Sequence, residues 1–319
     1  MVQLPIALLA ATARVHAQPR PLPRVGILSP GTPGSQMTAP LVEGLRVLGY
    51  IEGQNIAFEY RWAHGNFERL PELAADLVQA RVDVIVALAT QASVAVRQAT
   101  TTIPIVMAGV SDPVASGIVA SLGRPGGNVT GTSNMAAAIA GKQLEVLRES
   151  IPRVARVAVL WNPANKVFQQ LQVRETQRAG RKLGLQLYLV GAQSGNDLEQ
   201  AFRTIAQQRA EALHLLADPM FTANADTIGE LIARHRLPTV AAVKRFAEAG
   251  AFMTYGPNYE DNWRLAAAYV DRILRGAKPA DLPVEQSTKF ELVINLRTAK
   301  SLGLTLPPSL VLRADKLIE

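Results

Sequence analysis

The feature that most constrains this chain is a strand–helix pattern written twice. Arg24–Pro30 reads RVGILSP and returns at Arg156–Pro163 as RVAVLWNP. Phe58–Tyr60 followed by His64-Gly65-Asn66 returns as Leu187–Leu189 followed by Ser194-Gly195-Asn196. Asp83–Leu88 is answered by Glu211–Leu216, and Ile103–Ala108 by Leu237–Ala242. The offsets all fall between 128 and 134 residues. A single long sheet of generic units has no reason to keep that register, so the pattern predicts two similar lobes, each with its own sheet.

Within each copy, short β-branched runs alternate with amphipathic stretches, as in βαβ units with parallel strands. Strands are predicted at Val25–Ser29, Ile56–Arg61, Val82–Leu88, Ile105–Val110 and Val129–Thr132, with helices near 36–49, 67–80, 91–99 and 113–122. The expected fold class is therefore α/β, two doubly wound parallel-sheet lobes.

Residues 1–23 differ from the rest of the chain. Leu4–Ala13 is apolar over the length of a signal-peptide core, and Val15-His16-Ala17 offers a cleavage site, followed by a Pro-rich leader. Met1-Val2-Gln3 carries no basic residue, a departure from the usual start of such a segment. The expectation is export to the periplasm of a protein with no stable membrane insertion, since no stretch reaches 18 apolar residues. The chain has no Cys, which removes disulfides, thiolate metal sites, a cysteine nucleophile and a lipidated N-terminal Cys.

The net charge of +7 arises from basic residues interleaved with acids, without a basic block of the kind that binds nucleic acid, so no nucleic-acid partner is expected. No GxGxxG, Walker A or GxSxG pattern occurs at a strand end. The four histidines lack metal-ligand spacing. No cofactor, metal or catalytic residue is expected.

In doubly wound sheets ligands bind beyond the carboxyl ends of the strands. There the first lobe presents Ser29 and its Gly/Pro loop. It also presents Thr90, Gln91 and Ser93, with Thr90 read as an N-cap whose helix could receive an anion, and Ser111 with Asp112. Thr90 and Ser93 suit helix capping alone equally well, and Asp112 suits capping of a helix begun by Pro113 or a ligand ammonium. The second lobe presents Trp161, Asn162, Asp218 and Tyr255. Such a mixture suits a small polar or aromatic solute.

Three blocks carry a resemblance: RVGILSPG at Arg24–Gly31, the IPIV…SDPV…SLGRPGGNVTG region at 103–131, and KFELVINLRTAKSLGL at 289–304. With them the chain resembles the ABC-transporter substrate-binding proteins of the tryptophan/tyrosine-binding-like group. That resemblance implies a type I periplasmic binding fold, two Rossmann-like doubly wound parallel-sheet lobes joined by a multi-strand hinge, that closes on a small-molecule solute, perceived by the permease subunits of the transporter, in a protein that works as a monomer. Crossings of that hinge are expected near residue 135, at Gly256-Pro257-Asn258 and near Ser287, where Gly, Pro and Asn punctuate the chain. The first lobe then takes residues 24–135 plus about 258–287, and the second takes 136–257 plus about 288–319, the tail being assigned loosely. Some members bind aromatic amino acids. The lack of a lipobox Cys and the presence of Trp161 depart from many members. An enzyme on the same scaffold, or a repressor-type sensing domain, shares the architecture.

Overall fold

The computed structural model describes residues 21–34 and 37–319, so the apolar leader and His16 lie outside the described residues. In the first half the chain forms β1 (Arg24–Ser29), α1 (Ala39–Val47), β2 (Ala57–Trp62), α2 (Leu70–Gln79), β3 (Val84–Leu88), α3 (Ala89–Ala99), β4 (Ile105–Val110) and β5 (Val129–Ser133). The second half begins with α4 (Ala136–Ser150), β6 (Arg156–Trp161), α5 (Lys166–Leu183), β7 (Gln186–Gly191), α6 (Leu198–Gln207) and β8 (Ala212–Leu215). It continues with α7 (Pro219–Ala223), α8 (Ala225–His235), β9 (Thr239–Ala241), α9 (Lys244–Glu248) and β10 (Met253–Pro257). The last part comprises α10 (Tyr259–Leu274), β11 (Glu285–Gln286), β12 (Phe290–Asn295), α11 (Leu296–Leu302), α12 (Pro308–Leu312) and β13 (Lys316–Ile318).

These strands make two sheets. The first runs β11-β5-β4-β3-β1-β2 and the second β13-β12-β10-β9-β8-β6-β7. The order β2-β1-β3-β4-β5 is reproduced as β7-β6-β8-β9-β10, so the duplication seen in the sequence is a duplication of topology. It extends to local chemistry: the N–H of Arg24 donates to Asp83 at 2.7 Å, and Glu211 accepts the N–H groups of Ala155 and Arg156 at 2.7 and 3.0 Å. Every pairing is parallel except β10 with β12, which is antiparallel.

The strand sequences follow from burial on both faces. Val84–Leu88 and Ile105–Val110 are buried along their whole length, as central parallel strands require. One face of the first sheet packs on α2 and α3 through Leu73, Leu77 and Val96. Its other face packs on α1 and α10 through Leu41, Leu45, Ala266 and Val270. The second sheet is likewise covered twice, by α6 and α8 on one face and by α4 and α11 on the other.

The chain passes between the sheets three times, after β5, between β10 and α10, and between β11 and β12. Asn258 organises the second passage: its side chain accepts the Asp261 N–H at 3.0 Å as the cap of α10, and donates to Glu291 of β12 at 2.8 Å.

One predicted element is absent. Residues 113–122 form turns rather than a helix. Asp112 and Pro113 do start a helical turn, with the Asp112 side chain accepting the Ala115 N–H at 2.9 Å. Gly117 then adopts φ +67, the left-handed conformation that ends a helix, and the turn goes no further.

Candidate functional site

The carboxyl ends of the two sheets face each other across a cavity of about 70 Å³. From the first lobe it is lined by Thr90 of α3, Gly109 of β4, and Tyr259 and Trp263 of α10; from the second, by Phe168 of α5 and by Ala217, Asp218 and Val243. The inner cavity is smaller than the roughly 300–1,000 Å³ of small-molecule sites. It continues outward into a vestibule of about 390 Å³ that shares Met37, Thr222, Val243, Tyr259 and Trp263 with it.

The walls are largely apolar and aromatic. Tyr259 and Trp263 stand one helical turn apart on α10, with ring centroids 6.0 Å apart. Gly109, at φ +70, lets the Trp263 indole approach the end of β4: a side chain there would begin 3.3 Å from its Nε1. Among the described residues the buried Tyr259 hydroxyl has no hydrogen-bond partner, and burial pushes its phenol up, so it stays protonated.

Asp218 is the charged group of the inner wall. It is 2% exposed and caps α7 by accepting the Met220 N–H at 2.9 Å. Asn162 donates to one carboxylate oxygen at 3.1 Å, and Asn165 donates to the other at 2.6 Å. The loop that carries it is fixed from α5, where Gln169 and Gln172 donate to the Ala217 carbonyl at 2.7 and 3.0 Å. Among the described residues no cationic side chain pairs with Asp218. Burial pushes its carboxyl up to about 6, against the lowering effect of the amides that hold it.

Of the ten residues singled out in the sequence, Thr90 and Asp218 reach the cavity wall. Thr90 does so in a different role from the one expected. Helix α3 starts at Ala89 with Leu88 as its N-cap, so Thr90 is inside the first turn and its Oγ1 accepts the Ser111 N–H at 3.2 Å. Asn162 and Gln91 lie one step behind the wall; Gln91 donates across the cleft to Asn165.

The other six have local work. The Ser29 hydroxyl accepts the Gly31 N–H at 3.1 Å, and its loop, Gly31–Gly34, borders the vestibule. Ser93 donates to the Ala89 carbonyl at 2.9 Å inside its own helix, and Ser111 accepts the Ala137 N–H at 2.8 Å. Asp112 is engaged in its own turn, through the Ala115 N–H. Trp161 lies over Gly191 on the neighbouring strand, and Tyr255 stacks on Phe290 at 6.2 Å. Sequence reasoning missed Gly109, Phe168, Tyr259 and Trp263. A Tyr/Trp pair four residues apart just past Gly256-Pro257 was the available signal for the last two.

Among the described residues there is no group of three or more His, Cys, Asp or Glu able to hold a metal, and no helix long and apolar enough to cross a membrane.

Two doubly wound lobes, joined by three passages and closed over a shared cavity, define a protein that binds a small solute between its halves. The chain belongs to the ABC transporter substrate binding protein family, whose profile matches residues 34–318. It is 27% identical over 263 residues, 82% of this chain and 75% of the relative, to the tyrosine-binding protein of Clostridioides difficile. A conserved domain protein from Vibrio cholerae superposes with TM-score 0.85 at 31% identity, covering 92% of this chain and 99% of that one. A Streptococcus ABC domain in complex with L-Trp superposes with TM-score 0.85 at 25% identity, covering 93% and 100%. A ligand-free, open substrate-binding protein from Clostridium difficile, also 25% identical and covering 93% and 99%, superposes with 0.66. The lobe arrangement here is thus nearer to that of the L-Trp complex than to the open one.

Proposed function

We propose that this protein is the periplasmic receptor of an importer for an amino acid with an aromatic side chain, and that it performs no catalysis. The observation that carries the reading is Asp218: a buried carboxylate at a cavity wall, with amide donors but, among the described residues, no cation. Such a charge is costly unless a partner arrives, and a ligand ammonium is the partner whose charge fits. Phe168, Tyr259 and Trp263 supply the aromatic wall, and the names of two relatives, one in complex with L-Trp and one tyrosine-binding, support the same class.

In this reading residues 1–23 direct export, and the lobes comprise 24–135 with about 258–287 and 136–257 with about 288–319. The protein acts as a monomer and presents its closed form to permease subunits. Because the solute touches both lobes only when they meet, its differential affinity supplies the closing free energy.

Calorimetric titration with L-tryptophan and L-tyrosine, each beside its analogue lacking the amino group, tests this. Binding of an amino acid with at least about thirtyfold preference over the des-amino analogue is expected, from the roughly 2–5 kcal/mol lost when one partner of a buried charge pair is missing. Equal binding of the two forms would overturn the assignment of Asp218, and no binding of either by protein freed of carried-over ligand would overturn the solute class.

A further inference from the structure

One polar contact between the lobes ends on the same carboxylate that faces the cavity. Gln91, on α3 of the first lobe, donates through Nε2 to Oδ1 of Asn165, at the start of α5 in the second. Asn165 is 1% exposed, and its Nδ2 donates to Asp218 at 2.6 Å. One amide therefore joins the facing lobe to the cavity wall.

Its orientation is not free. An ionised carboxylate accepts and cannot donate, so the NH₂ of Asn165 must point to Asp218 and its carbonyl oxygen must point away. That leaves an acceptor for the other lobe, which only the NH₂ of Gln91 can satisfy. The Gln91 Oε1 is then left buried, with no hydrogen-bond partner among the described residues. An amide that leaves its own oxygen unsatisfied is being held by what its nitrogen meets.

We infer that Gln91 and Asn165 form a latch between the lobes whose polarity is set by Asp218, so that a solute ammonium, by keeping Asp218 ionised, holds the lobe–lobe contact in place. The inference rests on the reading that a ligand ammonium meets Asp218. A protonated carboxyl would let the Asn165 amide turn over and present NH₂ to NH₂ across the cleft. Asn165 is in this sense a positioning residue: it acts through Asp218 and Gln91 without itself lining the cavity.

The absence of cysteine makes the test direct. Nitroxide labels on Ala75→Cys and Gln208→Cys, exposed positions of the first and second lobes, report lobe separation by pulsed electron spin resonance. Without ligand, Gln91→Ala should move the distance distribution towards the open form, and an unchanged distribution overturns the latch whether or not any amino acid binds. With L-tyrosine or L-tryptophan as probe, Gln91→Ala should weaken binding about tenfold, the scale of one hydrogen bond lost in a closed cleft. It should weaken the des-amino analogue less. On an Asn165→Ala background, Gln91→Ala should have no further effect, because the two act as one unit. Additive losses, or equal weakening of the probe and its des-amino analogue, would overturn the coupling to Asp218. Failure of the unaltered protein to bind either probe speaks against the proposed solute class and leaves the ligand-free distance measurement to decide the latch.

Discussion

His214 Nε2 lies 2.7 Å from Gln143 Oε1, joining the middle of the second sheet to the helix that comes after the first passage between lobes. The Gln143 amide passes on to the Tyr255 carbonyl at 2.7 Å, so the imidazole is the donor of a short relay from β8 through α4 to β10. Burial holds His214 neutral, lowering its pKa from 6.5 to about 3. The unfolded chain takes up a proton below 6.5 that the folded chain refuses. Stability is therefore full above about pH 6.5 and is lost as pH falls towards 3, by about 1.4 kcal/mol per pH unit. His214→Gln, which keeps a donor for Gln143, should remove this slope in urea unfolding followed across pH.

Asp218 acts with the opposite sign in part of the same window. Its carboxyl is raised from 3.8 to about 6, so the folded state keeps a proton that the unfolded state releases, and ligand-free stability falls as pH rises from about 4 to about 6. Against the rise from His214, this fall makes the stability of the unaltered protein less dependent on pH between those values than His214 alone would make it. Asp218→Asn should reveal the His214 slope there, and the His214→Gln variant should reveal the Asp218 slope; a wild-type profile as steep as that of Asp218→Asn across pH 4–6 would contradict the pairing.

The same titration governs the solute. A cationic group needs Asp218 ionised, so affinity for L-tyrosine or L-tryptophan should rise through about pH 6 and level off above it. Asp218→Asn should reduce affinity at neutral pH by at least about thirtyfold and abolish that pH dependence, as calorimetry at several pH values would show.

Gly109 lines the inner cavity beside Trp263. A methyl there would begin 3.3 Å from the Trp263 indole and would occupy a backbone conformation at φ +70 that side chains resist. Gly109→Ala should lower stability by about 1–2 kcal/mol in urea unfolding, the cost of a left-handed residue, and weaken solute binding beyond what the stability loss explains. Unchanged affinity would remove Trp263 from the cavity wall.

At the second passage, Asn258→Ala removes both the cap of α10 and the link to Glu291. A loss of about 1 kcal/mol is expected from the cap, measurable as a lower urea midpoint at constant slope.

How far the sequence discloses this protein depends on where the determining contacts lie. The strands are legible because a central parallel strand is buried on both sides, and Val84–Leu88 or Ile105–Val110 can be little else. The duplication is legible because register survives even where residue identity does not. The turn at 113–122 is misread because Asp112-Pro113 is a sound helix start, whereas the stop comes from the backbone conformation of a single residue, Gly117. At the site, strand-end reasoning reaches Thr90 and Asp218, which follow β3 and β8 directly. It misses Tyr259 and Trp263, because α10 belongs to a segment that arrives at the cavity only after the chain has crossed back, and Phe168, because it sits within a helix. The reading of Thr90 as a cap fails by one residue, since α3 starts at Ala89 with Leu88 as its N-cap.

The three passages have a consequence for how this molecule can be divided. Neither the β1–β5 segment nor the β6–β10 segment is a complete half, because α10 and β11 complete the first while β12 and β13 extend the second. A single cut anywhere between β5 and β12 would leave two fragments that each need the other's strands or helices for cover. Such fragments should reassociate as a complementing pair rather than stand as independent domains, and the solute-holding space would reappear only with the reunited whole.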